Sequence, residues 1–253
     1  MTRKSRSSGL FSLIVIAICM ALSVTLADLF SSVLTVGFFS ADSLSEQSLE
    51  IYAVSLLRTQ SKIEAVEFSK TIQSQNGAGY VWSQNKEFYV FASAYEQEND
   101  AKLVKDNLKT QSVESEIIKL NFLSINFKEE YNNEERSELS NSTAIYKTTF
   151  KKLYDISVSF DTEIINEMQA KLEVGKILSD VTKSRTNFET RFATKKNSET
   201  VYLGVKYKDL LEATQNLSDS NLVSDMQTYS SLIKYTYIKI LSIYSELIVE
   251  LSV

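Results

Sequence analysis

The strongest constraint in this chain of 253 residues is a duplication, because two stretches about 36 residues apart repeat one order of patterns. The copies begin with residues 51–56 and 87–92, where aromatic and β-branched side chains alternate as in a half-buried strand. A polar turn follows in each copy, and apolar residues then recur every three or four positions, which indicates a helix. The sequence therefore predicts two successive strand–helix units.

Two more strand-like runs, residues 79–82 and 116–120, follow the two helical patterns. They complete the order β-α-β-β-α-β, which is typical of a ferredoxin-like split βαβ fold. In such a fold both helices cover one face of the sheet. We therefore predict an α+β protein with a split βαβ domain at 49–123 and one open sheet face.

The N-terminal region predicts a membrane anchor. Arg3, Lys4 and Arg6 precede an uncharged run from residue 10 to 27, and the apolar character resumes up to Phe39. Such a run is long enough to span a bilayer, and the basic residues place the tail 1–9 in the cytoplasm. A signal peptide cleaved after Ala27 is the alternative, but it would leave residues 29–39 as an exposed apolar tail. We prefer a single anchor at 10–39, a short linker at 40–48 and all later residues outside the membrane.

Beyond residue 123 the spacing of apolar residues becomes helical. A charged stretch at 128–140 precedes stripes that predict three or four antiparallel helices, a bundle domain at 124–253. The spacing places Ile164, Met168 and Leu172 in its core after a break near residues 157–161. The clearest stripe is the last, and it leaves Lys234 off the apolar face. The predicted core of these helices also includes Ile177, Val181, Phe188, Phe192, Leu222, Met226, Ile233, Tyr237, Ile240, Tyr244, Leu247 and Leu251.

Composition excludes several functions. The net charge of -5 argues against nucleic acid as a partner, because such proteins usually carry a basic face. The chain has no histidine, which excludes His-ligated zinc and Ser-His or Cys-His nucleophilic pairs. Cys19 is the single cysteine, so no disulfide can form within the chain. The adjacent glutamates at 129–130 and 134–135 fit a solvated surface better than a glycosidase site. We predict a non-enzyme without a metal or other cofactor.

The duplicated segments resemble the two halves of the SPOR (sporulation-related repeat) domain over about 75 residues. The resemblance lies in residues 52–56, 65–68, 79–82, 88–92 and 94–102. It implies binding to peptidoglycan glycan strands that lack stem peptides, in a bacterial protein of division, sporulation or wall remodelling. The chain departs from the family at Ser55, where glutamine is common, and at Leu57 and Ser93, where glycine is common.

The alternation of side chains along the strands independently suggests a glycan site. If Val54 and Val90 face the helices, then the aromatic residues between them face the open side of the sheet. Aromatic rings stack on the C–H faces of sugars, and polar neighbours can bind hydroxyl groups. The residues predicted to bind glycan are Ser55, Tyr80, Trp82, Tyr89 and Phe91. The alternative is that the helical domain packs on this face and makes these residues core.

These patterns together predict a membrane-anchored, non-catalytic cell-wall protein that binds glycan through its SPOR-like domain. Its partners would be peptidoglycan, the membrane and a protein bound by the helical domain. The alternative function is a membrane-tethered adaptor whose SPOR-like domain no longer binds glycan.

Overall fold

The computed structural model describes residues 48–125, 127, 130–220 and 228–251 of the chain. These residues form an α+β protein with four strands and six helices, and the predicted order of strands and helices is confirmed. The elements are β1 (Leu49–Thr59), α1 (Lys62–Gln73), β2 (Tyr80–Gln84), β3 (Glu87–Tyr95), α2 (Glu98–Thr110), β4 (Glu116–Phe122), α3 (Asn133–Asp161), α4 (Glu167–Arg191), α5 (Ser198–Ser218) and α6 (Tyr229–Leu251).

The four strands form one antiparallel sheet in the order β2-β3-β1-β4. The two copies of the duplication therefore place their first strands, β1 and β3, side by side at the centre. Asn85 and Lys86 connect β2 to β3 with φ angles of 52° and 65°. Two successive positive φ values are what a two-residue hairpin of type I′ requires.

Each face of the sheet has its own core. One face packs against α1 and α2, and the predicted alternation is confirmed, since Val54 and Val90 lie there. The opposite face packs against the helical bundle, with Trp82 and Phe91 in the same hydrophobic cluster as residues of α6. The sheet is thus a middle layer between two helical layers, a common way to bury both faces.

Helices α3 to α6 form the predicted bundle, in which each helix packs against the next and α6 returns to α3. Three of them begin with an asparagine whose side chain accepts a hydrogen bond from the backbone three residues later, at Asn132, Asn166 and Asn197. Such reciprocal caps satisfy backbone groups that have no partner at a helix start. Asn197 caps the start of α5, and Asp219 lies at its C-terminal end.

Helix α6 is buried on nearly all sides because it packs against the bundle and also against β2, β3 and β4. Its predicted core residues are confirmed where they are described, and Ile240 is fully buried. Leu222 and Met226 lie outside the described residues. Lys234 was expected off the apolar face, and this is wrong, since it is buried.

The predicted orientation of the first turns of α4 is also wrong. Ile164, Met168 and Leu172 are 54%, 80% and 60% exposed. Helix α3 continues through the predicted break to Asp161, and Asn166 then caps the start of α4. The side of α4 that faces the bundle is therefore not the side that carries Met168 and Leu172. The buried row of α4 instead begins with Ala170 and Val174, and it continues with Ile177, Val181 and Phe188, whose predicted place in the core is confirmed. Residues 168 and 170 lie on opposite sides of a helix with 3.6 residues per turn.

The predicted anchor at 10–39, the basic tail at 1–9, Cys19 and all of the linker except Ser48 lie outside the described residues. Among the helices that are described, none combines the length and the apolar character needed to cross a membrane.

Candidate functional site

The five residues predicted to bind glycan lie together on the sheet face opposite α1 and α2. Trp82 in β2 is central, with its ring 5.7 Å from that of Phe91 and 6.4 Å from that of Tyr80. Tyr89 and Phe91 both belong to β3, the strand beside β2, and their rings lie 6.4 Å apart. Alternation along the strands therefore brings four large aromatic side chains into one continuous surface. We call Tyr80, Trp82, Tyr89 and Phe91 the aromatic face.

The aromatic face is not open, which corrects the prediction. Trp82 and Tyr89 are each 8% exposed, and Phe91 has no exposed surface. Tyr80 is half-buried, and burial raises the pKa of its hydroxyl to about 12. The alternative interpretation, an interdomain core, is the one observed. Large aromatic side chains bury about 150–250 Å² each, so covering them is strongly favoured.

Helix α6 covers the part of this sheet face nearest the start of β1. Its Tyr235 ring lies 5.2 Å from that of Tyr80, and its Tyr244 ring stacks 5.9 Å from that of Phe122 in β4. The hydroxyl of Tyr237 accepts a hydrogen bond of 3.4 Å from the backbone N–H of Ala94. Tyrosines at three places along one helix therefore attach it to three strands.

Ser55 is also unavailable to a ligand. The pairing of β1 with β3 shifts register on both sides of Ser55, which marks a β-bulge. Within this bulge the Ser55 hydroxyl donates a 2.9 Å hydrogen bond to the carbonyl oxygen of Leu57, and the residue is 1% exposed. Its polar group stabilises the distorted strand and does not face solvent.

A polar group lies at the hairpin end of the aromatic face and reaches solvent. The Arg58 guanidinium donates to the Glu87 carboxylate at 2.9 Å and lies 5.6 Å from the centre of the Tyr89 ring. The Tyr89 hydroxyl donates to the same carboxylate at 3.0 Å. The three side chains satisfy one another near the ends of the two central strands, where β1 finishes and β3 begins.

A buried polar cluster fixes α6 to the rest of the protein, and the sequence analysis missed it. The Lys234 ammonium lies 2.5 Å from the carboxylate of Asp161 at the end of α3. It also donates to the backbone oxygen of Asn76 at 2.9 Å and to the hydroxyl of Ser230 at 2.8 Å. Ser230 donates in turn to Asp161 at 2.5 Å. We call these four residues the Lys234 cluster.

The Lys234 cluster joins the bundle to the turn between α1 and β2. Beside it, Ser231 donates to the backbone oxygen of Gly77 at 2.8 Å, and Thr228 donates to the Asn76 side chain at 2.6 Å. The Lys234 ammonium thus donates two hydrogen bonds and forms one ion pair. Little in the sequence signalled this cluster, because the stretch from Ile233 to Leu241 also contains Lys239, which is only partly buried.

A second candidate is an open cleft of about 540 Å³ between α3 and α4. Lys152 and Asp180 form an ion pair of 2.7 Å across it, and Lys176 pairs with Glu173 at the same distance. Asp155 lines the cleft, and burial raises the pKa of its carboxyl group to about 6. The apolar and neutral lining consists of Ile156, Ile177 and Ser179. Both lysines that line the cleft are paired with carboxylates, so the described lining offers no unpaired cationic group for an anionic ligand, and Asp155 is its one additional carboxylate.

The glutamates considered for catalysis have structural roles where they are described. Glu134 pairs with Arg191 at 2.8 Å, and Glu135 pairs with Lys195 at 2.9 Å. Lys195 lowers the pKa of the Glu135 carboxyl group, and the backbone N–H of Asn132 does so further. Glu129 lies outside the described residues. Within the described part of the chain, no group of three or more acidic, cysteine or histidine side chains could hold a metal ion.

The chain was compared with protein-family models, curated proteins and solved structures, and none of them matches it.

Proposed function

We propose that this protein is a membrane-tethered, non-catalytic scaffold whose sheet domain supports the helical bundle and does not bind glycan. The observation that carries the proposal is the closure of the aromatic face: Trp82 and Phe91 belong to the core shared with α6. A sugar ring could stack on these side chains only if α6 moved away. The surface left for a partner is therefore that of the helices.

In this scaffold the sheet domain is a ferredoxin-like, SPOR-like domain. The strand order β2-β3-β1-β4 is compatible with a split βαβ unit, and the resemblance in residues 49–123 supports that assignment. The scaffold also has the anchor at 10–39, with the N-terminus in the cytoplasm of a bacterial cell and both domains outside. The ligand of the scaffold is a protein bound by the bundle.

A second candidate function is glycan binding after α6 leaves the sheet. It is favoured by one observation, that the four aromatic residues of the aromatic face form a single surface. The other sheet face has a separate core with α1 and α2, so the sheet could stay folded during such a movement. Opening would have to break the contacts of the Lys234 cluster.

A sacculus-binding assay distinguishes the two functions. A fragment of residues 45–253 is incubated with peptidoglycan sacculi before and after amidase treatment, which removes the stem peptides. Lys234→Ala is tested beside the original chain because it weakens the attachment of α6. Trp82 is the single tryptophan of the chain, so its fluorescence reports a sugar placed against the aromatic face.

The scaffold proposal expects that neither protein binds either kind of sacculus. Binding of amidase-treated sacculi by Lys234→Ala alone, with a change in Trp82 fluorescence, would favour the second candidate. Binding by the original chain, lost about tenfold in Trp82→Ala, would refute the scaffold proposal. A tenfold loss corresponds to about 1.4 kcal/mol, the magnitude of a good aromatic contact.

A further inference from the structure

One end of the molecule lies where the sheet begins, directly after the predicted linker at 40–48. There Leu49, the first residue of β1, pairs with Phe122, the last residue of β4. The ring of Phe122 stacks 5.9 Å from that of Tyr244 in α6. The last turns of α6 therefore lie beside the point at which the chain enters the sheet.

Ends of the other bundle helices meet at the same place. The ring of Tyr146, in the first half of α3, stacks 5.9 Å from that of Tyr244, so α3 begins at this end. Just before α3, the Tyr131 hydroxyl donates a 2.7 Å hydrogen bond to Glu199 in the first turn of α5. The ion pair between the first turn of α3 and the last residue of α4 places the end of α4 here as well. We call this region the tethered end: residues 49–50, 119–125, 127, 130–136, 191–201 and 247–251.

Large aliphatic side chains are exposed at the tethered end. Leu123, directly after β4, is 60% exposed, Val201 near the start of α5 is 53% exposed, and Val249 near the end of α6 is 67% exposed. Ile125 and Phe127 beside them are only partly buried against the core. Covering such side chains with an apolar medium is favourable in proportion to the area removed from water. A few exposed apolar residues need no explanation alone, so their position in the molecule decides what they can do.

The short linker determines what lies next to these side chains. Residues 40–48 separate the predicted anchor from β1 and reach at most about 30 Å when fully extended. The bilayer is thus never farther than this from the start of β1, whereas the other end of this 11-residue strand lies about 35 Å away from that start. We propose that the tethered end rests on the bilayer that the anchor crosses, with Leu123, Val201 and Val249 inserted among the lipid headgroups. The inference rests on the membrane anchor of the proposed function.

Charge neither drives nor opposes this contact. The described acidic residues of the tethered end are Glu50, Glu130, Glu134, Glu135, Glu199 and Glu250, and the basic ones are Lys119, Arg136, Arg191, Lys195 and Lys196. The two sets nearly balance, and three ion pairs join them: Glu50 with Lys119, Glu134 with Arg191, and Glu135 with Lys195. Attraction to anionic lipids requires a cluster of basic residues instead. The tethered end therefore binds through its apolar side chains and needs no anionic lipid.

The contact is weak by itself, and the anchor makes it effective. Even a whole acyl chain gives a soluble protein only marginal binding to membranes, and a few aliphatic side chains give less. A domain that the linker holds within about 30 Å of the bilayer has a high effective concentration at its surface, so a weak contact is often occupied. The start of α4 then points away from the membrane. That orientation leaves the outer part of the bundle accessible to a protein partner.

Fluorescence quenching in vesicles tests the contact on the whole chain. Full-length protein with Cys19→Ser is reconstituted into phosphatidylcholine vesicles, and Leu123→Cys or Val249→Cys is labelled with a nitrobenzoxadiazole dye. Lipids with a nitroxide near the headgroup should quench both labels about threefold more than a label at Met168→Cys. Met168 is 80% exposed near the start of α4, about 35 Å along the helix from Arg191. Because the contact is apolar, adding about 0.5 M NaCl should not reduce the quenching.

Two matched substitutions and a flotation measurement complete the test. Val249→Asp places a charge among the headgroups and should remove most of the quenching at residue 123. Ile63→Asp should leave it unchanged, because Ile63 is 74% exposed on α1, which follows the far end of β1. Vesicle flotation after alkaline extraction reports the anchor separately, and loss of the protein from the floated vesicles would refute the tether together with the contact. Floated protein whose labels at 123 and 249 are quenched no more than the label at 168, or only at low salt, would overturn the bilayer contact and leave the tether standing.

Discussion

Replacing Lys234 by alanine would test whether the closed interface depends on its buried polar cluster. The substitution leaves the Asp161 carboxylate, 12% exposed in its side chain, without the ammonium that neutralises it. It also removes the hydrogen bonds to Asn76 and Ser230. Breaking a buried ion pair by removing one partner costs about 3–5 kcal/mol, a large part of a typical stability of about 5–15 kcal/mol.

The measurement is urea denaturation of residues 45–253, followed by Trp82 fluorescence and by helical circular dichroism. With a urea dependence of about 2–3 kcal/mol per molar, the midpoint should fall by about 1–2 M. Both signals should move together, because Trp82 and the bundle belong to one hydrophobic cluster. A fluorescence change that precedes the loss of helix would instead show that the sheet separates from α6 first.

A matched control is Lys152→Ala. Lys152 and Asp180 also form an ion pair of 2.7 Å, but their side chains are 48% and 52% exposed. Exposed pairs contribute about 0–1 kcal/mol, so this substitution should hardly move the midpoint. If Lys234→Ala and Lys152→Ala lowered stability equally, the reasoning that assigns the attachment of α6 to the Lys234 cluster would be refuted.

Three other substitutions test the fold. Ile240→Asp should abolish the helical circular-dichroism signal, because it forces a charge into a fully buried site of α6, and an unchanged spectrum would contradict the assigned core. Gly79→Ala should lower the melting temperature, since the φ of Gly79 is +59° and a Cβ there would clash with a backbone oxygen. Gly175→Ala should instead raise stability by up to about 1 kcal/mol, because a Cβ there meets nothing within 4 Å and alanine favours the helix. The pKa of Asp155 is raised from 3.8 to about 6, so the contribution of this one group to stability should fall as the pH rises from about 4 to about 6; the difference in urea midpoint between Asp155→Asn and the original chain should change over this range.

The strands, and the face of the sheet to which each side chain points, were predictable because both depend on local patterns. Alternation placed Val54 and Val90 on one side and Trp82 and Phe91 on the other, and the structure confirms both. The same alternation carries no information about what lies against each side. Whether the aromatic face is open depends on contacts with α6, which follows about 140 residues later in the chain. Periodicity therefore identified the surface, but it could not identify its neighbour.

The orientation of α4 shows a different limit. Met168 and Leu172 lie in a row with helical spacing, and Ala170 and Val174 lie in another row on the opposite side. Size and hydrophobicity favoured the first row as core, whereas the structure buries the second. In the first turns of α4 the smaller Ala170 and Val174 are buried, whereas Met168 and Leu172 remain exposed.

The closed sheet is difficult for a glycan to open. Moving α6 away would expose Trp82, Tyr89 and Phe91 together with Tyr237 and Tyr244 of α6, and each large buried side chain contributes about 1.5–3 kcal/mol. The opening would thus cost about 7–15 kcal/mol before the Lys234 cluster is counted. Stacking of sugar rings returns on the order of 1 kcal/mol per ring, which is too little to drive the movement. If this sheet ever binds glycan, a protein that binds α6 or the bundle must supply the difference. We therefore propose that, under either function, the helical domain binds the first partner.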